Sequence, residues 1–283
     1  MMGASINRAP TPKKHKHMKR REFLKHSLAA STLAGLSAAT LEAGAAATGE
    51  AGREYYELRA YRLKPGANHN LLDGFLEKLA IPAWNRLGSK PVGVFVEKQP
   101  TEKPAVFVLI PYPSLEALGT AAAQFKSLVE AQGAVSEYLQ APKDNPAFDR
   151  IDSWLMLAFA GMPKLELPAY CQARKPRLFE LRTYESFSEA KALKKIEMFN
   201  SGEIATMREV GLAPVFYGQA LVGPSLPHLT YMTSAENEEA HKQHWDAFGK
   251  HPVWNKLKND PQYADTVSKI SKWILEPTSY SQI

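Results

Sequence analysis

The chain has 283 residues, 45% of them hydrophobic, with one cysteine and a formal net charge of +6. The single cysteine excludes an internal disulfide framework. Eight of the 35 basic residues but only two of the 29 acidic ones precede residue 48, so the remaining 236 residues carry 27 charges of each sign. This balance excludes a global attraction to nucleic acid or anionic membranes, and the length is ample for two cores of about 110 residues each.

Residues 1–47 are typical of an export signal. A basic segment starting at Met18, the expected first residue, contains Arg20 and Arg21 and precedes a weakly apolar run and a cleavage site at Ala45-Ala46-Ala47. The run is too short for a permanent membrane helix. The arginine pair is similar to the twin-arginine signal, so we expect a periplasmic or secreted protein without stable membrane insertion.

The first half of the remaining chain, residues 54–160, has the periodicity of a βαββαβ unit. The predicted elements are a strand over 54–63, a helix capped by Asn68 or Asn70 and reaching residue 87, strands over 92–97 and 105–110, a helix over 115–139 capped by Ser114, and a strand over 151–160. The Lys64-Pro65-Gly66 turn ends the first strand, and Gly88 ends the first helix.

A proline-containing linker over 161–176 leads to the second half, residues 177–276, which repeats this order. Strands are predicted over 177–184, 214–220, 228–233 and 267–275, and helices over 188–210 and 236–257.

The two halves arise from an internal duplication. Glu57, Arg59 and Tyr61 of the first strand recur as Glu180, Arg182 and Tyr184, 123 positions later in the sequence. The same offset pairs Gly88 with Gly211 and Pro91 with Pro214. A period this long indicates two domain-sized copies.

These patterns predict an α+β fold. A βαββαβ unit makes a four-stranded antiparallel sheet with both helices on one face, the ferredoxin-like arrangement. Two tandem copies can bury their bare faces against each other, so we expect an intramolecular α/β-barrel pseudo-dimer.

The repeated strand motif supplies the candidate ligand-binding residues. Alternate strand residues share a face, so we expect Glu57, Arg59 and Tyr61 to point into the barrel opposite their second-half counterparts. The arginines could then hold a carboxylate or enolate, and Tyr61 and Tyr184 could transfer a proton. The alternative is that each Glu–Arg pair is structural.

His241, His244 and His251 are further candidates. His241 and His244 share a helix face at a spacing that can hold zinc or, singly, a haem iron. No cysteine or carboxylate stands beside them in a recognised ligand pattern, and the first half has no equivalent histidines. We therefore predict no cofactor, with a metal ion or haem as the alternative.

Other motifs argue against alternative chemistry. Trp245, Phe248 and Trp254 have a spacing typical of a hydrophobic core, and Cys171 lies in the linker without an adjacent histidine or acid. The sequence has no nucleotide-binding glycine motif and no G-x-S-x-G nucleophile motif.

Several motifs together resemble the NIPSNAP family of the dimeric α/β-barrel superfamily. They are the doubled E-L-R-x-Y, Leu63-Lys64-Pro65-Gly66, Gly88-Ser89-Lys90-Pro91-Val92-Gly93, and Trp245-x-x-Phe248 followed by His251-Pro252-x-Trp254. The resemblance implies the barrel fold but no established reaction. Its wider superfamily includes haem-linked chlorite dismutases, cofactor-free monooxygenases and lactone isomerases, and a shared fold does not transfer chemistry.

Three functions follow as hypotheses. The first is binding of a small anionic or carbonyl-bearing molecule in the barrel, with Arg59 and Arg182 as anchors. The second is an oxidoreductase, monooxygenase or isomerase that uses His244 or His251 as an acid-base group or axial ligand. The third is an interaction or scaffold protein that forms a homo-oligomer.

Overall fold

The computed structural model describes residues 52–64, 69–100, 102–130 and 137–283. The predicted export signal with Arg20 and Arg21 lies outside the described residues, as do Asn68 and the Pro65-Gly66 turn. Within the described part, no helix is long and apolar enough to cross a membrane.

Eight strands and six helices of four or more residues appear in the described ranges. The strands are β1 (Tyr55–Arg62), β2 (Gly93–Glu97), β3 (Ala105–Tyr112), β4 (Arg150–Ala158), β5 (Leu178–Glu185), β6 (Ala213–Val222), β7 (His228–Ala235) and β8 (Lys269–Pro277). The helices are α1 (70–86), α2 (Leu115–Glu130), α3 (Ala169–Gln172), α4 (189–209), α5 (Glu238–Lys250) and α6 (Pro252–Lys258).

The strands form one closed barrel in the order β1-β3-β2-β8-β5-β7-β6-β4. Each half contributes the four-strand order of a ferredoxin-like unit, and β2 pairs with β8 while β4 pairs with β6 to join the halves. Because each pairing joins the edge strands of the two sheets, no sheet edge remains open. The predicted tandem barrel fold is confirmed.

The duplication extends to local backbone detail. Strand β7 lies 123 positions after β3, and α1 and α4 are both irregular at equivalent positions, over Leu76–Ala80 and Phe199–Glu203, although only α4 is kinked there, at Gly202 with φ +147°. Gly88 and Gly211 both have φ +87°, a left-handed conformation that favours glycine after a helix.

Two helix boundaries differ from the predictions. Helix α2 is described as far as Glu130, and residues 137–140 are a turn, whereas the sequence predicted a helix up to residue 139. The helix predicted over 236–257 breaks between α5 and α6, where His251 is extended with ψ 132°. Proline disfavours the helical conformation in the residue before it, so Pro252 ends one helix and begins the next.

The interior of the barrel is mainly apolar and joins both halves. Tyr56 and Leu58 of β1 meet Phe179 and Leu181 of β5 in one buried cluster, together with inward residues of the other strands. The opposite faces of β1 and β5 pack under the helices in two separate clusters.

The predicted inward orientation of Glu57, Arg59 and Tyr61 and of their counterparts Glu180, Arg182 and Tyr184 is therefore wrong. An eight-stranded barrel is just wide enough for side chains to fill it, and here the large apolar residues fill it. The charged residues lie on the outer face, where the helices and neighbouring strands supply hydrogen-bond partners.

One end of the barrel is covered by the linker and the C-terminal tail. Ile283 is fully buried in the interior cluster, and Cys171 of α3 is 4% exposed. The tail pairs with the start of β2 through Gln282 and Val92. The remaining opening lies at the other end, where β1 and β5 finish.

Candidate functional site

Glu57 and Arg59 form an ion pair beneath helices α1 and α2. Nε and Nη2 of Arg59 lie 2.7 and 3.0 Å from the two carboxylate oxygens of Glu57. Tyr112 and Ser153 donate their hydroxyl hydrogens to the same carboxylate, at 3.2 and 3.0 Å. This arrangement matches the structural alternative, in which the two charges neutralise each other.

Glu180 and Arg182 form the matching pair in β5, with 3.1 Å between Arg182 Nε and Glu180 Oε1. Nε2 of His241 and Nε1 of Trp245 lie 3.0 and 2.6 Å from Oε2 of Glu180. Burial favours the protonated acid, but the hydrogen bond from His241 and the charge of Arg182 outweigh it, so the pKa of Glu180 is lowered. Glu180 is therefore ionised at neutral pH.

The motif tyrosines are buried in the helix-facing cores. Tyr61 is 1% exposed and packs against Phe148 with 5.7 Å between ring centres. The hydroxyl of Tyr184 lies 2.9 Å from that of Tyr231, and burial raises the pKa of Tyr184. The structure thus places the six motif residues in two separate clusters, one in each half.

The three candidate histidines have different surroundings. His241 is bonded to Glu180, the ring of His244 packs over Gly211, and His251 accepts a hydrogen bond from the Val253 N–H at the start of α6. Within the described ranges, no group of three or more His, Cys, Asp or Glu residues could hold a metal ion. His241 does not fit an axial haem ligand either, because its Nε2 is already engaged by Glu180. The proton-transfer role of His244 and His251 stays a prediction.

The sequence patterns did not single out a cavity of about 180 Å³ at the open end of the barrel. Two tryptophans, Trp154 and Trp273, line it from equivalent positions opposite Leu58 and Leu181. The other inward-facing lining residues are Phe107 from the first half and Thr183, His228, Thr230 and Ser271 from the second half. The cavity therefore has an apolar side and a polar side.

His228 is the titratable group inside this cavity. It is 2% exposed, and its Nδ1 lies 3.3 Å from Oγ1 of Thr230, which is 2.8 Å from Oγ1 of Thr183. Nε2 is buried and has no hydrogen-bond partner of good geometry in the described part of the chain. Burial lowers the pKa of His228 against the opposing influence of neighbouring backbone groups and Glu185, so the ring is neutral at pH 7.

Two ion pairs stand at the mouth of the cavity. Nε of Arg62 lies 2.9 Å from Oδ2 of Asp152, and Nζ of Lys269 lies 2.9 Å from Oε1 of Glu185. Each cation thus has a carboxylate partner. A molecule entering the barrel meets balanced charge at the mouth and a neutral imidazole inside.

A sequence signal for this site exists in the duplication. At the 123-residue offset, His228 corresponds to Ala105, Thr230 to Phe107 and Thr183 to Ala60. A polar residue that replaces an apolar one on the inward face of a buried strand is costly unless it is paired or used. These differences between the two halves point to the cavity only when it is known which face of each strand lies inside the barrel.

The chain is similar to several solved structures. A proposed monooxygenase from Fusobacterium nucleatum aligns with a TM-score of 0.50 and 9% identity over 80% of this chain and 93% of its own. A NIPSNAP-like domain protein from Burkholderia xenovorans aligns with a TM-score of 0.33 and 21% identity over 37% of this chain and 88% of its own. The first likeness concerns the fold alone at this identity, and no curated protein matches the chain.

The NIPSNAP family model matches twice, over residues 56–161 and 179–282. Each match begins within the E-L-R-x-Y strand of one half and ends beyond the last strand of that half. Together the matches span well over half of the sequence and both repeats of the barrel, and the chain therefore belongs to the NIPSNAP family.

Proposed function

We propose that this protein binds a small neutral molecule with a carbonyl or hydroxyl oxygen inside its barrel, and that His228 recognises that oxygen. The observations that carry the proposal are the position of His228 in the lining of this open-ended cavity and its buried Nε2, which has no hydrogen-bond partner of good geometry in the described part of the chain. An unpaired buried nitrogen costs roughly 1–3 kcal/mol, which a ligand oxygen would recover.

The cavity dimensions define the size of the ligand. A dry cavity of about 150 Å³ in another protein accommodates benzene, and the cavity here measures about 180 Å³. Trp154, Trp273 and Phe107 offer aromatic surfaces to such a ring. A molecule built on one six-membered ring fits this space.

The charges favour a neutral ligand over an anionic one. Arg62 and Lys269 at the mouth are each paired with a carboxylate, and the pKa of His228 is lowered by burial. A carboxylate inside would lose its hydration without gaining a cation. Arg59 and Arg182, the anchors expected from the sequence, contact the helix layer instead.

The binding test compares three probes on the full chain. Cyclohexanone should raise the melting temperature and quench tryptophan fluorescence more strongly than benzoate or cyclohexane. Replacing His228→Leu should weaken cyclohexanone binding about two- to tenfold, the worth of one hydrogen bond. His251→Leu, outside the cavity, is the matched control. Unchanged cyclohexanone affinity in a folded His228→Leu protein would refute the proposal.

Proton transfer is the second candidate function, favoured by the same imidazole. In the tautomer that carries its hydrogen on Nδ1, neutral His228 has an unprotonated Nε2, which can remove a proton next to a carbonyl group, as an isomerase requires. The readout is exchange of the α-hydrogens of cyclohexanone for deuterium, followed by NMR. If exchange is equal in wild type and His228→Gln, the protein binds without catalysing this step.

We also propose that this binding occurs outside the cytoplasm. Residues 1–47 support export, and replacing Arg20 and Arg21 together by lysine should retain the protein in the cytoplasm. Cell fractionation measures this, with a Lys19→Arg variant as control.

Native mass spectrometry of the exported protein would report both a bound molecule and any homo-oligomer. A homo-oligomer is the state that the interaction hypothesis requires.

A further inference from the structure

The two halves of the barrel differ in how the space beneath helices α2 and α5 is filled. Both helices begin with an equivalent cap, because Ser114 accepts a hydrogen bond from the Ala117 N–H at 3.2 Å and Asn237 accepts one from the Ala240 N–H at 2.9 Å. The caps are 123 positions apart. Residues on the two helices can therefore be compared position by position.

In the second half, α5 fills the space over the Glu–Arg pair with its own side chains. The indole N–H of Trp245 donates to Glu180 at 2.6 Å, and the guanidinium of Arg182 lies 4.1 Å from the centre of the indole ring. His241 adds a contact to the same carboxylate at 3.0 Å. An aromatic ring with an N–H group thus lies on an arginine–carboxylate pair.

In the first half, the equivalent positions hold smaller or apolar residues. Ala122 stands where Trp245 stands, and Leu118 stands where His241 stands. Trp84, which replaces Met207, fills part of the space and stacks on Phe125 at 5.0 Å. A cavity of about 370 Å³ remains, lined by Ala122, Phe125 and the Glu57–Arg59 pair among others.

The polar atoms in the wall of this cavity favour a ligand that carries a hydrogen-bond donor. Tyr112 and Ser153 both line the cavity, and both donate their hydroxyl hydrogen to Glu57. A hydroxyl that has used its only hydrogen can still accept. Arg59 lies in the same wall, and its guanidinium carbon already lies 5.3 Å from the centre of the Trp84 ring, so a ligand ring would share this cation with Trp84.

We propose that this first-half cavity binds a planar aromatic molecule with a ring N–H or a hydroxyl, and that the ligand occupies the place that Trp245 takes in the second half. The ring lies against Arg59 and the apolar residues of α2. The N–H or hydroxyl group of the ligand donates a hydrogen bond to the hydroxyl oxygen of Tyr112 or Ser153. This site is separate from the barrel cavity, which lies on the opposite face of β1 and recognises an acceptor.

Indole is the probe, because it reproduces the Trp245 side chain. Isothermal titration calorimetry of the full chain with indole should show one site, and Ala122→Trp should weaken the affinity of that site at least about tenfold. Ala122→Trp should leave the response to cyclohexanone unchanged, and His228→Leu should leave the indole site unchanged. The experiments can therefore refute the indole site without refuting the barrel cavity, and the reverse.

Two further comparisons keep the test decisive. Benzofuran, which lacks the N–H, should bind about two- to tenfold more weakly than indole. Trp245→Ala opens the equivalent space in the second half and should add a second indole site. If Ala122→Trp does not fold, Ala122→Leu tests the same filling with a smaller side chain. Undiminished indole binding in either folded variant, or none to wild type, would overturn the proposal.

Discussion

Nζ of Lys195 lies 2.8 Å from Oε2 of Glu203 inside the second half, and the two side chains are 5% and 1% exposed. The ring centres of Tyr184, Phe199 and Trp254 lie 4.7 to 5.7 Å from the same ammonium group. Burial raises the pKa of Glu203, and the charge of Lys195 opposes that rise. The equivalent first-half residues are Leu72 and Ala80, which are apolar.

Removing one partner of this pair should be far more damaging than removing both. Glu203→Ala leaves a buried ammonium group without its carboxylate partner and should cost about 3–5 kcal/mol of unfolding free energy. The double variant Lys195→Leu with Glu203→Ala copies the first half and should cost clearly less than Glu203→Ala alone. Urea unfolding measures both values. A double variant as unstable as the sum of the single variants would contradict the prediction.

Gly88 and Gly211 provide a matched pair for testing the packing of His244. Alanine at either site adopts an unfavourable φ of +87°, which should cost about 1–2 kcal/mol. At Gly211 the added Cβ would also lie 2.8 Å from Nε2 of His244, whereas nothing lies within 4 Å at Gly88. Gly211→Ala should therefore be the more destabilising by about 1 kcal/mol or more.

The control for this comparison is a second substitution. His244→Ala combined with Gly211→Ala should bring the loss of stability back toward that of Gly88→Ala, measured by thermal unfolding. If the two glycine variants are equally destabilised, His244 does not limit the space at Gly211.

The buried imidazole of His228 should make stability depend on pH. Its pKa is lowered in the folded protein, so below the ordinary value of about 6.5 the unfolded chain binds a proton that the folded chain does not. Stability therefore falls as pH falls from about 6.5 toward the folded pKa, by at most about 1.4 kcal/mol per pH unit.

His228→Gln removes this titration. Urea unfolding at pH 5 and pH 7.5 should show a smaller difference between the two pH values for His228→Gln than for wild type. An equal difference in both proteins would mean that His228 titrates alike in the folded and unfolded chains.

Ile283 should stabilise the barrel although it lies in the C-terminal tail. Its side chain is fully buried in the interior cluster, and its main-chain oxygen accepts a hydrogen bond from Arg177 at 2.8 Å. Ile283→Ala should cost about 2–4 kcal/mol, because it leaves a cavity in a packed core. Ile270→Ala, at a position that is 52% exposed, is the control and should change unfolding by less than about 0.5 kcal/mol. Similar losses in both variants would contradict the burial argument.

The strand order was predictable because it depends on local patterns. The alternation in β1 and β5, the glycines after the helices and the 123-residue offset are all visible in the printed sequence. The turn at residues 137–140 and the break before Pro252 were less predictable, since apolar residues continue in helical spacing through both positions.

The sequence by itself determined the duplication, the βαββαβ order and the pairing of Glu57 with Arg59 and of Glu180 with Arg182 as neighbours on one strand face. Only the tertiary structure decided which face of each strand points inward. Alternation fixes two faces but does not identify the buried one when both faces are covered, one by the opposite sheet and one by helices. The inward face carries the apolar residues, so the charged motif lies under the helices. Closing the barrel joins the two halves around one interior, and His228 therefore lines the same cavity as Trp154 and Trp273, which are far from it in the chain.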